Sequence, residues 1–306
     1  MPLLNIRWLF RWFTPTSERI FQNQRWLEQN TDINLVRMND SDVEEVLETV
    51  NEDNHTAFVA ATCTFDNDWN IILLNPGGFQ KFGYSFVELT DRRTEPKFNE
   101  RKEELINAAK CTCHVVALSP KGQVVSGTAF FVSATLLITA GHVAPKKGQL
   151  VLAERPGLFE SEHPETLWER RDKLTTIIEC RTVKTLYKGK KDKDGMDVSI
   201  LDCSKSKYRA TSWLQLNMTQ PELEAKVDLI GYPSACNTWD LKKQYKFDVT
   251  FDDLGEVQRM LPPGRLVVSH GEICKEGEYV CYRLSSVKQM SGGPVIVNGK
   301  AVGRLN

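Results

Sequence analysis

The sequence predicts an all-β body over residues 111–306, preceded by a small α/β extension over residues 1–110. Three observations carry this reading. From Cys111 onward valine, threonine and glycine become frequent, and short apolar bursts recur between turn-forming stretches. Many short strands joined by loops form a barrel or a sandwich. The chain has 306 residues, enough for two ordinary domains or one large β unit. Its 39 basic and 40 acidic side chains leave a formal net charge of -1, with 41% apolar residues. That composition supplies real cores and no pole of charge directed at nucleic acid or an anionic membrane.

Taken in order, the chain opens on Ile6–Phe13, where Arg7 and Arg11 interrupt a run of Trp, Leu and Phe. Residues 1–14 read as a short basic amphipathic helix that packs on the body, the alternative being a helix lying on a membrane surface. The run is too short to span a bilayer, and no small-residue cleavage site follows it. The eight cysteines are therefore expected to be reduced and buried in an intracellular, cytoplasmic protein. Within residues 15–55, Asp40–Glu52 reads as a surface helix with Val43, Val46, Leu47 and Val50 on one stripe. Ala57–Phe65 and Trp69–Leu74 read as strands around an Asp66-Asn67-Asp68 turn. Ser85 and Glu88 are spaced as a capping box for a following helix. A further helix at Glu100–Ala109 leads out of the extension.

The body then reads as strands at Cys113–Leu118, Val124–Val132, Thr135–Thr139, Leu174–Val183, Val198–Leu201, Val227–Ile230, Tyr245–Phe251, Arg265–Val268, Tyr279–Leu284 and Pro294–Val297. Residues 144–173 read as a wet, charged insert, and Tyr187–Gly195 as a solvated lysine-rich loop. Asn298-Gly299 signals a hairpin into a last strand.

Three stretches carry chemistry. In Gln289-Met290-Ser291-Gly292-Gly293-Pro294-Val295 a hydroxyl sits beside two glycines, where the backbone can turn sharply and be approached closely. In Thr139-Ala140-Gly141-His142 an imidazole closes a strand with little bulk beside it. In Asp197-Val198-Ser199-Ile200-Leu201 a carboxylate opens an apolar run, and a buried charge requires a partner. An imidazole N–H suits it; Asp194, in the charged loop, is the rival acid. Cys111-Thr112-Cys113-His114 has no second ligand pair at a convincing spacing, so no metal or cofactor is expected.

Two resemblances follow from these residues. Asn75, Gly83, Tyr84, Ser85, Glu88 and Leu89 resemble the PAS sensor-domain pattern over residues 58–92, which implies a ligand-sensing fold. Residues 93–109 are too short and charged to complete one, so a capped helix in a plain α/β extension is the competing reading.

His142, Asp197 and Ser291, in that chain order, resemble the trypsin/chymotrypsin-like serine protease superfamily, in its non-trypsin branches, over residues 111–306. Gly127-Thr128-Ala129-Phe130-Phe131-Val132 and Leu229-Ile230-Gly231-Tyr232-Pro233 add to the likeness. The resemblance implies a double β-barrel and a serine endopeptidase acting on protein or peptide substrates. Ser291 is then the nucleophile, His142 the base and Asp197 its orienting acid, with backbone N–H groups of Gln289, Met290 and Ser291 around the oxyanion. Gln289 stands where the family usually has glycine, and φ > 0 there would cost about 1 kcal/mol or more. Ser285 falls at the base of the primary pocket, which implies no preference for Arg or Lys. The alternative is a catalytically silent protease-like fold serving as an interaction module. Only fifteen residues follow Ser291, so the second barrel is expected to be shortened and open, with Ile6–Phe13 as its natural cover.

Overall fold

The computed structural model describes residues 57–58, 62–74, 79–81, 84–87, 101–186, 197–217, 221–222, 225–239, 251–275, 281–283 and 286–304. The expected helices at 1–14 and 40–52, the lysine-rich loop with Asp194, and Ser285 lie outside the described residues.

The extension supplies β1 (Ala57–Phe58), β2 (Thr62–Phe65), β3 (Ile71–Leu73), β4 (Phe79–Lys81), β5 (Tyr84–Val87) and helix α1 (Lys102–Ala109). The Asp66 turn forms as its sequence suggests. The Asp66 carboxylate accepts the N–H groups of Asp68 and Asn70 at 2.9 and 2.8 Å, closing the β2–β3 hairpin. Strands β1, β4 and β5 form a separate small sheet. Here the structure corrects the reading of Ser85: it lies in β5, paired with Gln80, and not at the cap of a helix. Tyr84, Phe86 and Val87 are good strand residues, and pairing with β4 satisfies the backbone that a cap would have served.

The first half of the body is a closed barrel. Its strands are β6 (Thr112–Leu118), β7 (Val124–Phe131), β8 (Leu136–Ala140), β9 (Leu150–Glu154), β10 (Ile177–Thr185) and β11 (Val198–Asp202). They close in the order β10-β11-β8-β7-β6-β9. Period-2 alternation fills its interior with Val115, Ala117, Ala129, Phe131, Leu137, Val151, Ala153, Ile178 and Leu201, all fully or almost fully buried. The insert at 144–173 is not simply wet: it contributes β9, without which the barrel would stay open, and α2 (Pro164–Glu169).

The second half is an open sheet of β12 (Lys226–Gly231), β13 (Val267–Lys275), β14 (Cys281–Arg283), β15 (Pro294–Val297) and β16 (Lys300–Arg304). The order β16-β15-β12-β13 continues into β2 and β3 of the extension, with β14 also on β13. Val268 pairs with Cys63 and Ser269 with Thr62, so the hairpin from the extension adds two strands to the body's own sheet. The β15–β16 turn is the expected one: Asn298 and Gly299 have φ of 48° and 73°, the left-handed pair of a type I′ hairpin. The expected strand at Tyr245–Phe251 is corrected at its described end, where Phe251 begins helix α3 (Phe251–Met260).

Alternation splits this sheet into two apolar faces. Val227, Leu229, Val267, Val295 and Val297 pack with Val257, Met260 and Leu261 of the α3 region. Ile230, Val268 and Ile296 pack on the other side with Cys63, Phe65, Leu105, Ile106 and Phe130. On this second face Asp228 is buried, and it survives there through partners. Arg101 reaches its two oxygens at 2.7 and 3.0 Å, and His270 Nδ1 lies 3.0 Å from Oδ1. Arg101→Ala is therefore expected to lower unfolding free energy by roughly 1–3 kcal/mol, less than a fully buried pair because Arg101 is partly exposed. Urea denaturation checks it; an unchanged midpoint would contradict it.

Six described cysteines are free thiols: Cys63, Cys111, Cys113, Cys180 and Cys203 are buried, and Cys236 is half-buried. Burial pushes the Cys63 and Cys113 thiols well up. His114 is engaged by the Glu154 carboxylate at 3.1 Å, while Cys113, its neighbour on β6, points into the barrel core. No helix among the described residues is long and apolar enough to cross a membrane.

Candidate active site

Pairing of β8 with β11 sets the first half of the site. Val198 lies opposite Ala140, so the residues that continue past each strand end, Asp197 and Gly141, also face each other. Gly141 N–H donates to the Asp197 carbonyl at 2.7 Å. One residue further, His142 N–H donates to Asp197 Oδ1 at 2.7 Å, and its ring Nδ1 lies 2.6 Å from Oδ2. An ionised carboxylate only accepts, so the ring proton sits on Nδ1, and in the neutral imidazole Nε2 carries the lone pair. Asp197 is only 6% exposed; these two charge-assisted contacts offset its desolvation. His142 and Asp197 thus form the imidazole–acid part of a triad-like arrangement.

Ser291 arrives from the other half of the body. Met290, just before it, is fully buried in the core of the second sheet and anchors the turn from below. Gly292, just after it, has φ 90°; a Cβ there would stand 2.2 Å from the Thr128 carbonyl, 2.6 Å from Thr139 Oγ1 and 2.7 Å from Ala140 N. On Gly293 it would stand 2.3 Å from the Ile230 carbonyl. The two glycines therefore let the serine turn press against β7, the end of β8 and β12 at once. Ala140 is two residues before His142, so the serine turn packs against the strand end that leads to the His142–Asp197 pair.

Gln289 has φ 71°, in the left-handed region. With a side chain this costs about 1 kcal/mol or more. Among the described residues, the N–H groups of Gln289 and Ser291 donate to no protein acceptor, whereas that of Met290, expected beside them, is turned away and donates to the Val287 carbonyl at 3.3 Å. Gln289→Gly is expected to raise stability by up to about 1 kcal/mol, because glycine adopts positive φ without the Cβ penalty. Thermal or urea unfolding checks this, and a loss of stability would contradict it.

Several contributors carried little signal in the sequence. Thr128, fully buried on β7, binds the serine turn at two points: its N–H donates to the Ser291 carbonyl at 2.9 Å, and its hydroxyl to the Gln289 carbonyl at 2.8 Å. Thr139 Oγ1 donates to the Thr128 carbonyl at 2.7 Å, and Tyr232 N–H to Thr128 Oγ1 at 3.1 Å. Ser199 faces inward and donates to the Ala144 carbonyl at 2.7 Å, fixing the segment after His142. Buried hydroxyls inside apolar strands were the available clue.

No protein-family model and no curated protein matches the chain. Among solved structures it is distantly similar to the Rv3671c protease from M. tuberculosis in its active form, at 16% identity and a TM-score of 0.40, over 66% of this chain and 71% of that one. It is likewise similar to the serine endoprotease from Yersinia pestis, at 16% identity and a TM-score of 0.40, over 66% of this chain and 55% of that one.

Proposed function

We propose that this protein is a serine endopeptidase that cleaves peptide bonds through an acyl-enzyme. The supporting observation is the two-point contact between His142 and Asp197 beside the strand end against which the Ser291-Gly292 turn is pressed. In this reading Ser291 Oγ attacks the scissile carbonyl while His142 Nε2 takes its proton. The imidazolium then hands that proton to the leaving amine, and Asp197 stabilises it throughout. N–H groups of Gln289 and Ser291 stabilise the oxyanion, a contribution on the order of 3 kcal/mol per donor. Water repeats the sequence on the acyl-enzyme.

A diverse peptide library incubated with the purified chain tests the reading. Cleavage is expected, without dominance of Arg or Lys before the cut, since Ser285 offers no anion to a guanidinium. Ser291→Ala is expected to abolish cleavage with stability unchanged within about 0.5 kcal/mol. Cleavage that persists in Ser291→Ala, or a profile dominated by Arg or Lys, would contradict the corresponding part.

A further inference from the structure

An oxyanion site built on glutamine rather than glycine needs something to hold its backbone. Gln289 keeps φ at 71° although it carries a side chain. Two contacts flank it: Ser234 N–H donates to the Lys288 carbonyl at 2.9 Å, in the peptide plane that carries the Gln289 N–H, and Thr128 of the opposite barrel takes the carbonyl of Gln289 itself. Thr128 is fully buried, and all of its polar groups are engaged. Tyr232 N–H can only donate, so Thr128 Oγ1 accepts from it and turns its single proton to the Gln289 carbonyl. The Ser291 carbonyl ends on Thr128 N–H. With the carbonyls on both sides of residue 289 held, its φ and ψ are fixed together, and with them the direction of its N–H.

We infer that Thr128 is a positioning residue: its hydroxyl latches the Gln289 carbonyl and so holds the Gln289 N–H beside that of Ser291 without the usual glycine. The inference rests on the proposed acyl-transfer reading for its catalytic meaning, though the latch itself is a statement about backbone conformation. The surroundings fit this role. A Cβ on Gly231 would stand 3.1 Å from Thr128 Oγ1 and 3.3 Å from Met290 Cα, so the start of the Gly231-Tyr232-Pro233 turn packs directly on the latch. The latch acts on a backbone carbonyl, so a serine can replace the threonine and a valine cannot.

The test uses crystal structures and fluorophosphonate labelling rates of the full chain and its Thr128→Val, Thr128→Ser, Gln289→Gly and Thr128→Val/Gln289→Gly variants. Thr128→Val is expected to return Gln289 to negative φ and to slow labelling at least about tenfold, as loss of an aligned oxyanion donor does. Thr128→Ser is expected to keep positive φ and the wild-type rate. In the double variant residue 289 no longer resists positive φ, so its rate should stay within about threefold of Gln289→Gly alone. A Gln289 φ that remains near 71° in Thr128→Val, or a rate loss that Gln289→Gly does not relieve, overturns the latch. Gln289→Ala covers the case in which Thr128→Val does not fold. It keeps the backbone contact and must keep positive φ; a negative φ there assigns the conformation to the glutamine side chain and overturns the inference. A φ change in Thr128→Val within a background that never labels supports the latch and defeats the hydrolase reading alone.

Discussion

Asp197→Asn is expected to lower peptide turnover by about four orders of magnitude while leaving the barrel folded. The carboxylate holds His142 at two points, through the backbone N–H and through Nδ1. Asparagine keeps one acceptor oxygen but presents an NH2 group as its other face. If the oxygen stays on the His142 N–H, the amide confronts Nδ1 with a donor and drives the ring proton to Nε2. A base whose lone pair faces away from Ser291 cannot take its proton. The imidazolium also loses its anion. Turnover measured alongside circular dichroism checks this. A folded Asp197→Asn protein with turnover within about tenfold of wild type would remove Asp197 from the mechanism.

Gly292→Ala is the other change with a large expected effect, and it acts on stability. The added carbon would sit 2.2 Å from the Thr128 carbonyl and 2.7 Å from Ala140 N, both backbone, in a residue whose φ is 90°. No side-chain rotation relieves contacts with backbone. Either the serine turn lifts away from the first barrel, breaking the Thr128–Ser291 bond, or strands β7 and β8 shift. Strain at a special φ and overpacking coincide here, so a loss above about 4 kcal/mol is expected, enough to leave many domains unfolded. Urea denaturation measures it. A loss below about 1 kcal/mol would mean that the turn is not wedged between the two halves.

The first barrel was largely legible because its strands bury one face each and alternate accordingly. Val115, Ala117, Ala129, Phe131 and Leu137 all fall inside as their spacing predicts. β9 escaped because its apolar residues Leu150–Ala153 lie in a segment otherwise rich in charge, and barrel closure is a long-range property. In the second half, Leu254, Val257 and Leu261 do carry a helical spacing, but aromatic residues just upstream suggested a strand. β13 was cut short at Val268 because Ser269, His270 and Gly271 look like a loop. The polarity of His270 is met instead by Asp228, a cross-strand neighbour no local pattern could supply. The place of the β2–β3 hairpin is hidden for a related reason. The β2–β3 hairpin reads locally as a free-standing element, whereas its partner is β13, some two hundred residues away in sequence.

At the site, Asp197 is readable because a carboxylate opening an apolar run demands a partner, and His142 because it closes a strand among small residues. Thr128 was not, since a threonine in a strand is unremarkable until the segment facing it is known. Gln289 stands between: the cost of a positive φ there is visible in the sequence, whereas the value adopted, 71°, is set by contacts from segments distant in the chain.

The most direct measurement is the intact mass of the purified chain after reaction with a fluorophosphonate, followed by peptide mapping. The reading predicts one adduct, located on Ser291, absent from Ser291→Ala and strongly slowed in His142→Ala. A folded protein that takes up no adduct, or one that carries it equally well in Ser291→Ala, would contradict the assignment of Ser291 as a nucleophile.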